Sequence, residues 1–200
     1  MPGATPQPIA IQEIEVARVS DIAAIPCAFA VERIFDVVQS TERGLDLVER
    51  KAEAPFIKDY DGIAGNRPAE WADEFDLSNW GLLMALESAL PVGSALIAFD
   101  TPGLDMLEAR RDLAVIWDLR VRPEKRGQGI GARLIRGAES WALARDCREI
   151  RVETQNINIA ACRCYARAGF HLLQANAGFY PDHPDEIQLI WTKALERAEP

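Results

Sequence analysis

The most constraining feature of the chain is a strand, a glycine-rich turn and a helix in direct succession. Leu113-Ala-Val-Ile-Trp-Asp-Leu-Arg-Val121 is an apolar, partly β-branched run that predicts a strand. Arg126-Gly127-Gln128-Gly129-Ile130-Gly131 follows, and Ile130, Leu134, Ile135, Ala138, Trp141 and Ala142 then mark one face of an amphipathic helix. Three glycines in five positions let the backbone approach a ligand closely and turn its N–H groups inward. The helix start adds unpaired donors and the positive end of its dipole, so the turn can seat a pyrophosphate. Taken alone, it leaves a tight turn without a ligand as the weaker alternative.

The rest of the chain narrows the classes. Two hundred residues, 48% hydrophobic and 26% charged, suit one domain with a substantial core. No apolar run approaches the roughly 18 residues of a membrane helix. The opening Met1-Pro-Gly-Ala-Thr-Pro-Gln-Pro8 lacks the features of a secretory signal and is expected to be a disordered tail over 1–8. Cys27, Cys147, Cys162 and Cys164 have no framework or metal spacing and predict free thiols, in keeping with a reducing cytoplasm. A net charge of −9 argues against nucleic acid as the main partner. Its distribution says more: nine basic and four acidic residues fall between Arg120 and Arg151, net +5, leaving −14 elsewhere. A basic segment in an acidic body suits a polyphosphate at one place and a cationic substrate at another, although a solvated Arg-rich helix face would look the same.

The pattern along the chain predicts a strand over Ile9–Val16, then two helices from Asp21 to about Lys51 broken at Gly44. Residues Asp59–Asn79 read as a long acidic loop, either solvated or a lure for a polycation. Strands are expected at 81–86, 92–99, 113–121, 149–154, around 170–173 and at 186–192, with helices after Gly129 and from Asn158 to Gly169. That order is a mixed α/β sheet in one domain.

Two cofactor classes compete for the glycine turn. A dinucleotide fingerprint reads G-x-G-x-x-G, whereas here G-x-G-x-G is followed by Ala132, more than a hundred residues into the chain. A Walker loop is excluded because no Gly-Lys-Ser/Thr follows. Arg126-x-x-Gly129-x-Gly131 after Trp117-Asp-Leu-Arg-Val121, with Asn158-x-x-Ala161-x-x-x-Tyr165-x-x-x-Gly169-Phe170 downstream, resembles the GNAT superfamily of N-acetyltransferases. Val152-Glu-Thr-Gln-Asn-Ile-Asn-Ile-Ala-Ala-Cys162, Tyr180 and Asp185-Glu-Ile-Gln-Leu-Ile-Trp191 resemble, within it, the streptothricin acetyltransferases. Those enzymes tend to carry Glu-Asp where this chain has Trp117-Asp118.

The resemblance implies a single α/β (α+β) GNAT-like domain over 9–197, with a mixed, mostly antiparallel sheet of about six to seven strands flanked by helices. Its acetyl-CoA core would span about 113–170. Backbone groups of Leu119, Arg120 and Val121 would face the pantetheine arm, with Leu119 and Val121 pairing to it. Amides of Gly127, Gln128, Gly129, Ile130, Gly131 and Ala132 would hold the pyrophosphate. Asn158 and Ala161 would meet the pantetheine, Tyr165 the thioester sulfur, and Lys125 or Arg126 the 3′-phosphate. No metal is needed. The acceptor would be a small cationic amine, among them a streptothricin-type antibiotic, with a polyamine, an amino acid or a protein N-terminus as alternatives. A non-catalytic acyl-CoA-binding module is the non-enzymatic alternative, and a homodimer is one assembly it allows.

An alkylamine has a pKa of about 10.4, so a base is useful before attack and an acid is needed for the departing thiolate. Tyr165 suits the acid role, unless it is only a core aromatic. Asp118 and Glu153, on strands flanking the expected cleft, are the base candidates. Asp118 could instead be a strand-end acceptor, and Glu153 an ion-pair partner of Arg151 or Arg120. Trp117 is either core or a substrate platform. His171 and His183 have no metal spacing and read as structural or solvated.

Overall fold

The computed structural model describes residues 8–40 and 44–197; residues 1–7 of the expected tail lie outside the described residues. The strands are β1 (Ile9–Ile14), β2 (Phe29–Ser40), β3 (Gly44–Lys58), β4 (Gly81–Glu87), β5 (Leu90–Phe99), β6 (Leu113–Val121), β7 (Glu149–Gln155), β8 (His171–Ala177) and β9 (Ile187–Ala194). The helices are α1 (Trp71–Glu74), α2 (Ile130–Leu143) and α3 (Ile159–Arg167). Seven strands form one sheet in the order β1-β4-β5-β6-β7-β9-β8, and β2 and β3 form a separate ribbon. Every neighbouring pair is antiparallel except β6 and β7, which run parallel. The mixed, mostly antiparallel sheet with flanking helices is therefore as expected.

Both faces of the central strands are covered, which is why they read as continuous apolar runs rather than alternating ones. With a side-chain period of two, Leu83, Ala85, Ala95, Ile97, Ala114 and Ile116 face α2. Leu82, Leu96, Ala98, Leu113 and Val115 face the opposite layer, which Val19, Ile22, Trp71, Leu77, Trp80 and Leu107 build from the connecting segments. The six residues whose spacing marked the face of α2 are the six that it buries. At about 1.5–3 kcal/mol for each large aliphatic side chain, that stripe outweighs the weak intrinsic stability of a short helix. No helix among the described residues is long and apolar enough to cross a membrane.

The two helices expected between Asp21 and Lys51 are not formed. A 3₁₀ segment occupies Val16–Ala24, and Phe29–Ser40 and Gly44–Lys58 are the strands of the ribbon. The cause is visible in the pairing. The β2–β3 register shifts between Val31 and Arg33, so a bulge breaks the strict alternation, and Val31, Ile34 and Phe35 fall at helix-like intervals. Gly44 stands at the start of β3 rather than between helices. The expected loop over Asp59–Asn79 is largely irregular, with α1 and two short 3₁₀ turns inside it.

A buried ion pair helps tie the ribbon to the main sheet. Lys58, at the end of β3, donates to Glu186 Oε1 at 2.6 Å, and both side chains are under 10% exposed. Removing one member of such a pair strands a buried charge, whereas removing both does not. Lys58→Met is expected to lower unfolding stability by about 3–5 kcal/mol. Urea denaturation should show most of that loss recovered in Lys58→Met/Glu186→Leu.

Candidate active site

The cleft begins with a change of phase in β6. Leu96 pairs with Asp118 but Ile97 pairs with Ile116, so Trp117 is an extra residue, a bulge. Before it, Ile116 faces α2; after it, Leu119 and Val121 pack toward the α2 side. Asp118 and Arg120 are thereby turned to the other layer. The parallel ladder between β6 and β7 stops at Ile116–Val152, so beyond that point the two strands part. Arg122 N–H donates to Val92 O at 2.9 Å. By the alternation of an antiparallel ladder, Arg120 also points its N–H to β5, while Leu119 and Val121 point theirs into the gap. Of the three, Arg120 thus offers the gap no backbone donor, and the Val121 carbonyl already accepts Arg126 Nε at 3.0 Å.

The gap opens into a cleft of about 1000 Å³. Gly127 and Gly129 lie on it with φ of +75° and +78°, a conformation that residues with a Cβ rarely hold. Gly129 is the N-cap of α2; no side chain caps it, and the first turn carries no acid. The N–H groups of Ile130, Gly131 and Ala132 are consequently left for a ligand. Gln128 turns its side chain back to the Glu124 carbonyl at 3.4 Å, so only its backbone belongs to the turn. The cations expected at a phosphate are otherwise engaged: Lys125 pairs with Glu87 at 2.5 Å, and Arg126 staples the Val121 and Ala28 carbonyls. Both still line the cleft, together with Arg136 of α2 and Arg163 and Arg167 of α3.

On the α3 side, Asn158 is the N-cap, its Oδ1 accepting from Ala161 N–H at 3.1 Å. That leaves its Nδ2 facing the Tyr60 hydroxyl at 3.5 Å. Ala161 lines the cleft, as does Tyr165, whose ring sits against Phe170 and Trp191 and is only 5% exposed. Burial pushes the Tyr165 phenol well above its ordinary 10.0, so it stays a proton donor at neutral pH.

The two carboxylates differ in company. Both oxygens of Asp118 accept Arg120 Nε, at 2.8 and 3.0 Å, and Arg120 Nη1 donates to Asp61 at 2.7 Å. Burial pushes the Asp118 carboxyl up, against the pull of Arg120. Glu153 has no ion pair with Arg151 or Arg120, a correction to that expectation: Arg151 is held by Glu149 and Glu108, and Arg120 by Asp118 and Asp61. Glu153 accepts instead from the Tyr180 hydroxyl and from Gln188 Nε2, both at 2.6 Å. Trp117 packs edge-on against Phe75 and Trp80 and also lines the cleft. The acidic loop contributes Tyr60, Asn66 and Trp71 to the wall, residues that pattern reasoning had not singled out. An aromatic next to the acids at 59 and 61 was the available signal. His171 and His183 are exposed. The four thiols are free, and burial pushes Cys27 up to about 11 and Cys162 up to about 12.

Comparison with known proteins agrees with this geometry. Residues 47–170 match the model of the acetyltransferase (GNAT) family. A streptothricin acetyltransferase of Escherichia coli is 31% identical over 166 residues, covering 82% of this chain and 83% of that protein. Another, of Streptomyces lavendulae, is 26% identical over 171 residues, covering 84% and 86%. Among solved structures, a nourseothricin acetyltransferase superposes with a TM-score of 0.71 at 20% identity, over 94% of this chain and 99% of its own. A Bacillus anthracis structure in complex with acetyl coenzyme A gives 0.73 at 21% identity, over 96% and 100%; these two speak for the fold. The chain belongs to the GNAT family of acetyltransferases and shares its chemistry, acetyl-CoA-dependent N-acetylation.

Proposed function

We propose that the acceptor is a primary amine of a small polycationic molecule of the streptothricin type, received by Glu153 and acetylated opposite Tyr165. The observation that carries this reading is Glu153 itself, a carboxylate in the cleft that is held by two neutral donors and lacks an ion-pair partner among the described residues. An ammonium group completes such a site where a neutral acceptor would not. Asp61 and Asp118, only partly offset by Arg120, add negative charge nearby, and the likeness to streptothricin acetyltransferases points the same way.

Leu119 and Val121 would hold the pantetheine arm through the backbone N–H groups they turn into the gap, and the amides from Gly127 to Ala132 the pyrophosphate. Asn158 and Ala161 would border the arm where α3 begins. Bound there, acetyl-CoA supplies the activated acyl group. Glu153 takes a proton from the ammonium, directly or through water, and the freed amine attacks the thioester carbonyl. Attack forms the C–N bond, and the tetrahedral adduct collapses by breaking the C–S bond; Tyr165 donates its phenolic proton to the departing thiolate, and the second proton shed by the amine nitrogen restores the phenol. Asp118, committed to Arg120, orients the acceptor wall rather than acting as the base.

Acetyl-CoA is expected to raise the thermal midpoint of the pure protein, and a Gly129→Val variant to lose most of that rise, because valine does not hold a φ of +78°. Tyr165→Phe should lower kcat by about 10²-fold or more, with the acetyl-CoA KM little changed; an unchanged kcat would remove the acid role. Glu153→Gln should lower kcat/KM for the amine by a similar factor. The pH profile carries a sign check. An acid must be protonated, so activity is lost as pH rises through its pKa. Burial has pushed Tyr165 above 10.0, so no fall assignable to it should appear below about pH 10. Thiol release across streptothricin, polyamines, amino acids and peptide N-termini would decide the acceptor.

A further inference from the structure

Glu153 stands at the end of a hydrogen-bond array whose direction is fixed at every step. Asn158 Oδ1 caps α3, so its Nδ2 must face Tyr60 as a donor. The Tyr60 hydroxyl then donates to Gln155 Oε1. With its oxygen engaged, the Gln155 amide presents Nε2 to the Tyr180 oxygen at 2.8 Å, and Tyr180 is left to donate to Glu153 Oε1 at 2.6 Å. On the other oxygen, Gln188 Nε2 donates at 2.6 Å, and its own Oε1 accepts from Asn176 at 2.7 Å. The array joins the cap of the helix bordering the cofactor to the carboxylate facing the acceptor.

We propose that Tyr180 is a positioning residue for acyl transfer, which holds the Glu153 carboxylate aimed into the cleft. The inference rests on the reading of Glu153 given above. Tyr180 comes from the connection between β8 and β9, so the carboxylate of β7 is aimed from outside its own strand. Burial first, and then the Glu153 charge beside it, push the Tyr180 phenol well up, which keeps it a donor throughout the working range. The other charged or titratable groups around Glu153 are already matched or neutral. Across the cleft Arg120 is held by Asp118 and Asp61. On β7 itself Arg151 is held by Glu149 and Glu108. Lys58 is held by Glu186, and Tyr60, Cys162 and Tyr165 are neutral groups whose pKa values burial raises.

The test is Tyr180→Phe, which keeps the ring and its edge-on contact with Phe179 and deletes one donor. A carboxylate that loses a donor holds its proton more tightly. The acid limb of kcat/KM for the amine should therefore move up by roughly half to one pH unit. The acetyl-CoA KM and the thermal midpoint should stay near the parent values. Gln155→Leu, which frees the Tyr180 hydroxyl to turn, should move the limb in the same direction by less, and serves if Tyr180→Phe does not fold. A loop anchor without this role would lower the midpoint and leave the limb in place. Glu153→Gln separates the failures. If it is impaired while the Tyr180→Phe limb coincides with the parent, the positioning role is overturned and the reading of Glu153 stands. If Glu153→Gln keeps the parent kcat/KM, that reading falls and takes the positioning role with it.

Discussion

The site depends on a parallel ladder that is interrupted. β6 and β7 pair over only four positions, Leu113 to Ile116 with Glu149 to Val152, before the bulge at Trp117 turns the strand out of register. Continuing the ladder would satisfy more backbone groups, each worth a modest net contribution of about 1 kcal/mol. The helices prevent it. Ile130 and Leu134 of α2 and Cys162 and Tyr165 of α3 belong to one buried cluster with Ile116 and Val152, and that packing holds the region between the helices at a fixed width. Beyond the bulge, β7 keeps its other edge paired with β9 as far as Gln155. Only the inner edges are free, and a free strand edge beside a helix N-terminus is a matched pair of recognition elements: one for an extended amide chain, the other for its phosphates.

The same bulge sorts the charges. By moving Leu119 and Val121 to the apolar side it places Asp118 and Arg120 on the other, where Asp61 closes an ion triad around a guanidinium that is 2% exposed. Burying that cation without both carboxylates would be costly, so Asp118 is held structurally and has little freedom to exchange protons. Glu153 is released from such duty because Glu149 and Glu108 satisfy Arg151. Of two carboxylates on neighbouring strands, one is paired with a cation and the other has no ion pair among the described residues. Which is which follows from partners rather than from the carboxylates themselves.

That division explains what could be read in the sequence. The α2 stripe, the glycine turn and the start of α3 at Asn158 are local, since each is set by residues within a turn or two of itself, and all were legible. The partners of Glu153 were not, because Tyr180 lies 27 residues and Gln188 35 residues away along the chain. Ion pairing with Arg151 was the local alternative to a base role, and it is not formed because Glu108, 43 residues off, takes that place beside Glu149. The ribbon was misread for a related reason. A bulge in β2 destroys the period that would have betrayed a strand, while Val31, Ile34, Val37 and Val38 still carried the β-branched signal that period alone ignores.

The basic segment was rightly located, but its charges do not do what their number suggested. Arg120 and Lys125 are matched by carboxylates, and Arg122, Arg126 and Arg133 donate to backbone carbonyls of residues 91, 24, 121, 28 and 9. These cations fasten the turn and strand end to the segments around them. A phosphate at Gly127–Ala132 would therefore meet chiefly backbone N–H groups held rigid by neighbouring arginines. Fixed dipoles need no reorganisation when an anion arrives, whereas a flexible surface lysine must first be ordered. Under the function proposed above, such a cradle would leave the acidic body of the molecule free to attract a cationic acceptor, so that the two substrates would be drawn by opposite signs.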